Sequence, residues 1–229
     1  MAERFRLIHF KSPKTEDAVS DEDLSSHGPG DVSENRPPDT YSSQAMFRQA
    51  KADLKHPDPK IRILAIQYLE KNDPTFALPL IQGMLPDPDP DVRARALRSL
   101  SQMQNPTVIP VLKKYLKDTD PWVRITALSG LFQYREKIDL NMLLQFLSDE
   151  SPWVRRKIAT LLGWTQMEGT LPILAQLSKD QDSKVRKAAL FSLITLYPEE
   201  GGDSLVEAMM DSDPDLRNWA KKRLENIVA

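Results

Sequence analysis

The chain has 229 residues, 40% of them hydrophobic and 28% charged, with a formal net charge of −2. That length holds one large or two small domains at roughly 100–200 residues each, and the near-neutral charge gives no global electrostatic case for nucleic acid or membrane. Cysteine is absent, which excludes disulfides, cysteine-ligated zinc, iron–sulfur ligation and thiol catalysis.

Residues 1–11 mix basic and apolar side chains, and their charges interrupt any signal-peptide core. No run approaches the roughly 18 apolar residues of a membrane span. A cytoplasmic protein is the expectation. Residues 12–43 carry Glu16, Asp17, Asp21, Glu22, Asp23, Asp31, Glu34 and Asp39 against Lys14 and Arg36, a net of −6. Their apolar content is too low to offset ordering entropy, so 1–43 is expected to be a disordered acidic tail with a short basic and apolar start. Residues 44–229 form the second region.

There an arginine recurs every 31 residues, at Arg62, Arg93, Arg124, Arg155, Arg186 and Arg217. A fixed period of this size means stacked copies of one supersecondary unit. The first copy opens with a short helix, from about Gln44 to Leu54. In the second, Asp73-Pro74 opens a helix whose apolar side is Leu80, Ile81, Met84 and Leu85. Pro86-Asp87-Pro88-Asp89-Pro90 breaks it, and Asp89 before Pro90 restarts the chain as a capping residue with proline at the first helical position. The same cap recurs at Asp58-Pro59, Asp120-Pro121, Ser151-Pro152 and Asp213-Pro214, and without the proline at Asp182-Ser183.

Two apolar columns run through all six copies: Ile61, Val92, Val123, Val154, Val185 and Leu216, and Leu69, Leu100, Leu131, Leu162, Leu193 and Leu224. One hairpin cannot bury such a face alone, but stacked hairpins can. In the last copy Lys221 replaces the apolar residue of a third column, as expected where no further unit follows.

A helix with an early proline, an acidic turn and then Asp-x(5)-Arg with valine before the arginine resembles the HEAT repeat. The 31-residue length is similar to the HEAT-like subtype of phycobilisome lyase subunits and bacterial adaptors. The resemblance covers 44–229 and implies an all-α, right-handed α-solenoid of six helical hairpins. It also implies a ladder of hydrogen bonds between the six arginines and Asp87, Asp118, Asp149, Asp180 and Asp211, with His56 in place of the first acid. The opposing reading makes the arginines an anion-binding row.

No catalytic or metal centre stands out. His9, His27 and His56 lack helical partners, and the Asp-x-Asp-x-Asp runs lack the glycine and glutamate of a calcium loop. The expectation is therefore no enzyme, no metal and no cofactor.

The second helix of each copy leaves one face over once its core columns are removed. All four tryptophans of the protein fall there, as Trp122, Trp153, Trp164 and Trp219, joined by Phe191. In HEAT-like arrays this face lines the concave groove. Exposed aromatics of this kind mark binding surfaces, although each could also pack against neighbouring turns. Among the cations of the face, Arg95, Arg98, Lys157 and Lys222 are expected to orient a partner.

The reading that follows is a non-enzymatic adaptor gripping a protein partner, of unstated identity and oligomeric state. The alternative, implied by the lyase-type resemblance, is an accessory subunit for attaching, removing or inserting a bilin or other tetrapyrrole. Nucleic-acid binding ranks third, because the positive charge is dispersed over six units.

Overall fold

The computed structural model describes residues 44–134, 139–165 and 167–228. The expected acidic tail and its basic start, residues 1–43, lie outside the described residues.

Among the described residues every regular element is helical, and the helices pair into six hairpins. They are α1 Gln44–Asp53 with α2 Pro59–Asn72, α3 Pro74–Gln82 with α4 Pro90–Gln102, and α5 Ile109–Tyr115 with α6 Pro121–Phe132. Then come α7 Leu140–Leu144 with α8 Pro152–Gly163, α9 Thr170–Leu177 with α10 Ser183–Leu196, and α11 Pro198–Ala208 with α12 Pro214–Val228. A 3₁₀ turn, Pro106–Val108, leads into α5. From α2 to α10 each second helix packs on the second helix of the next unit, and the first helices lie against them.

The helix starts follow from capping chemistry. The carboxylates of Asp58, Asp89, Asp120, Asp182 and Asp213 accept backbone N–H groups two or three residues ahead. They satisfy donors that a helix leaves open at its start. Ser151 departs from expectation. Its side chain makes no capping bond to α8, although its own N–H donates to Asp149 Oδ1 at 2.9 Å. Nothing around Ser151 explains this.

The apolar columns become the core. Val92, Val123, Val154 and Val185 are fully buried, as are Leu69, Leu100 and Leu162. Burying a side chain of this kind contributes about 1.5–3 kcal/mol. One cluster runs from Ala50 to Leu193. A smaller one, with Leu190, Ile194, Leu205, Ala208, Leu216 and Ala220, closes the sixth unit. Lys221 is exposed, as its place in the terminal unit requires.

The arginine ladder crosses the units in the forward direction. Each guanidinium reaches the aspartate 25 residues ahead, in the following unit: Arg62 to Asp87, Arg93 to Asp118, Arg124 to Asp149, Arg155 to Asp180 and Arg186 to Asp211. Every rung is bidentate, with Nη2 2.6–2.8 Å from Oδ1 and Nε 2.7–3.0 Å from Oδ2. Nη1 of the same arginine donates to carbonyls in the turn between the two helices of its own unit, such as Asp149 O from Arg155 at 2.7 Å. Paired planar groups of this kind form the stronger class of hydrogen bond.

The aspartate six residues before each arginine therefore contributes its carbonyl to that arginine and its carboxylate to the previous one. Its Oδ1 also accepts the N–H two residues on, as in Asp182 N to Asp180 at 2.9 Å. At the first unit His56 takes over this second duty, with Asp58 N donating to its Nδ1 at 3.0 Å. So the first rung, Arg62–Asp87, is intact despite His56. The incomplete position is Arg217, which among the described residues bonds only the carbonyls of Asp211 and Ser212. The five paired guanidiniums have carboxylate partners, so the structure does not support the anion-binding row.

Candidate functional site

Among the described residues, most of the aromatic rings that meet a cation lie on the outward face of the second helices, in units four to six. On α8, Trp153 lies between two cations. Arg156 of the same helix is 5.7 Å from the ring centre, and Lys184 of α10 is 5.4 Å away. Lys157 stands 5.6 Å over Trp164 at the end of α8. On α10, Lys187 reaches Trp219 of α12 at 5.5 Å, while Arg223 of α12 reaches back to Phe191 at 5.5 Å.

Helical spacing explains the strip. Lys184, Lys187 and Phe191 are three and four residues apart on α10, and Trp219 and Arg223 are four apart on α12, so each set shares one face. The 31-residue period then sets the face of one helix beside the next. Each cation over a ring contributes about 0.5–1 kcal/mol where exposed and more where water is excluded. Three of these contacts cross between units, so the strip also ties the stack together.

The predicted residues distribute unevenly. Trp153, Trp164, Phe191, Trp219 and Lys157 are brought together. Trp164 is 54% exposed, whereas Lys157 is only 4% exposed, with its ammonium beneath the surface of the face. Trp122 and Trp153 are half-buried against the main core, and Trp219 is half-buried against the smaller one. Trp122 stands apart from the strip, and its indole N–H is buried with no hydrogen-bond partner among the described residues. Arg95 is tied back to Glu70 of the preceding unit at 2.9 Å, and Ser99 Oγ donates to the same carboxylate. Arg98 and Lys222 are exposed.

Arg156, Lys187 and Arg223 escaped the sequence reading. A signal for two of them exists. Arg156 and Lys187 stand in the column where the first three units have Ile63, Ala94 and Ile125, all of them buried. Two consecutive cations in an apolar column mark a change in what that face does. Arg223 has no comparable signal.

Among the described residues no cluster of His, Asp or Glu is arranged to hold a metal ion, and no helix is long and apolar enough to cross a membrane.

A family model for HEAT repeats matches residues 50–132 and 140–225. No curated protein matches the sequence. Among solved structures, the chain is similar to the CpcE–CpcF complex of phycocyanin lyase from Nostoc sp. PCC7120. Identity is 22%, the match covers 81% of this chain and 78% of that one, and the TM-score is 0.54. Human deoxyhypusine hydroxylase in complex with glycerol matches at 16% identity over 80% of this chain and 85% of that one, TM-score 0.38. An engineered protein matches at 18% over 79% and 96%, TM-score 0.44. These likenesses concern the fold. By its repeat pattern, its helical hairpins and the family model that spans them, the chain belongs to the HEAT-repeat family.

Proposed function

We propose that the protein is a non-enzymatic adaptor whose second-helix face binds a protein partner bearing acidic and apolar side chains. The observation that supports this most is the strip of alternating rings and cations over α8, α10 and α12. Trp164 is the exposed anchor, since a half-exposed tryptophan supplies the large rigid contact that dominates many interfaces. Lys184, Lys187 and Lys222 give the surface its sign and steer an acidic partner to it. Trp153, Phe191 and Trp219 act chiefly by holding the strip in place, and Trp122 packs against the main core.

Affinity capture from native lysate tests this. One bait is the intact chain and the other carries Trp164→Ala, Lys184→Glu and Lys187→Glu, three changes on exposed side chains. The two are matched beforehand by circular dichroism. Acidic proteins retained by the intact bait and lost from the altered one are the expected result. Equal capture by both moves binding away from the strip. A bilin absorption band acquired by the purified protein, unchanged in the altered bait, supports the tetrapyrrole-handling alternative instead.

A further inference from the structure

The strip of units four to six exposes lysines on α10 and α12, and the chain carries a segment of the opposite sign. Lys184 and Lys187 of α10 and Lys222 of α12 are exposed on adjacent helices, with Asp215 and Glu225 the acids of α12. Residues 12–43 are net −6, and their densest acidic run is Asp21-Glu22-Asp23, followed by Leu24.

We infer that this run docks on the strip of the same molecule, as an internal competitor for the acidic partner. The inference rests on the partner-binding reading of that face. Reach permits it. Helix α1 begins at Gln44, and the chain from Asp23 to Gln44 spans up to about 70 Å at roughly 3.4 Å per residue. Units four to six lie three to five repeats from the first, about 30–50 Å at 8–10 Å between packed helices. The carboxylates of the run meet Lys184 and Lys187, and Leu24 lies against Trp164. Contacts of this kind between exposed charges weaken with salt, so docking is reversible and yields to a partner of higher affinity.

The absence of cysteine allows a direct test on the full chain. Ser25→Cys provides a single thiol for a bimane label, whose emission nearby tryptophan quenches on contact. Emission at about 20 mM salt is expected to be at least two-fold lower than at about 0.5 M, where screening acts within roughly 4 Å. Dilution leaves that ratio unchanged. Adding Asp21→Asn, Glu22→Gln and Asp23→Asn, or in a separate chain Lys184→Glu and Lys187→Glu, abolishes the salt response.

A label equally bright at both salt concentrations overturns the inference. Quenching that persists after charge reversal on α10 overturns it too, because the segment then sits elsewhere. Quenching that disappears on dilution assigns the contact to a second copy and overturns the intramolecular form. Partner capture that depends on the strip, alongside an unquenched label, sinks the docking segment while leaving the adaptor reading standing.

Discussion

Replacing Arg155 with alanine is expected to lower the unfolding free energy by about 3–5 kcal/mol, the usual cost of removing one partner from a buried ion pair. The Arg155 and Asp180 side chains are 5% and 9% exposed, so Asp180 would be left with a buried charge and the Asp149 carbonyl would lose its 2.7 Å donor. Arg217→Ala is the internal comparison. It removes only two carbonyl bonds, at about 0.5–1.5 kcal/mol each. Urea denaturation of both variants gives the difference. Adding Asp180→Ala to Arg155→Ala should recover part of the loss, because the uncompensated carboxylate goes with it. Equal losses for Arg155→Ala and Arg217→Ala would show that the bidentate rung contributes nothing beyond the carbonyl bonds.

Acid acts on the two rungs at Asp180 and Asp211. Burial pushes the Asp180 carboxyl up, but the Arg155 guanidinium and the Asp182 N–H more than offset this and hold it below the usual carboxylate range. Arg186 does the same for Asp211, chiefly through its hydrogen bond. A depressed folded value contributes stability that is present above the unfolded value, about 3.9 for aspartate, and is lost as pH falls through the folded one. These rungs therefore keep their contribution at neutral pH and lose it below about pH 4. Asp91 works the other way. Burial, then Asp89 and Asp120, raise its carboxyl, so acid relieves that site.

The second large effect concerns two neighbouring glycines, for which the same substitution has opposite signs. A Cβ on Gly201 would lie 2.6 Å from Ile194 Cα and 2.7 Å from Ile194 N. That is backbone of α10, which cannot step aside as a side-chain tip can. Overpacking of this kind costs about 1–3 kcal/mol and outweighs much or all of the ~1 kcal/mol that alanine gains over glycine within a helix. Gly202 has nothing within 4 Å of the same position, so Gly202→Ala keeps the gain. Gly201→Ala should melt below the parent and Gly202→Ala above it. A higher melting temperature for both would mean that α11 does not approach α10 this closely.

The architecture was legible because each hairpin repeats its own punctuation. Asp58, Asp89, Asp120, Asp182 and Asp213 cap where the pattern places them, and the valine and leucine columns are the core. What spacing could not supply was direction. The sequence sets each aspartate six residues before an arginine, yet the carboxylate serves the arginine 25 residues earlier. That geometry depends on how one unit sits on the next. His56 stands where the other units have the acid, and only the stacking shows that no rung is lost there and that its duty is to receive the Asp58 N–H. On the second-helix face the tryptophans were visible as a set. Their pairing with cations was not, because Lys184 over Trp153 and Arg223 over Phe191 join residues 31 and 32 positions apart. Gly201 and Gly202 are indistinguishable in the sequence, and only the packing of α11 on α10 separates them.

The central claim, that a partner is held on the second-helix strip, is tested most directly by photocrosslinking from single positions of the full chain. A benzophenone side chain replaces Trp164 in one protein and Val206 in another. Both sites are 54% exposed, but Val206 lies on the first helix of the last unit. Irradiation in lysate should give acidic protein adducts from position 164 that disappear at high salt, with none of the same proteins from position 206. The same adducts from position 206 and none from 164 would contradict the account.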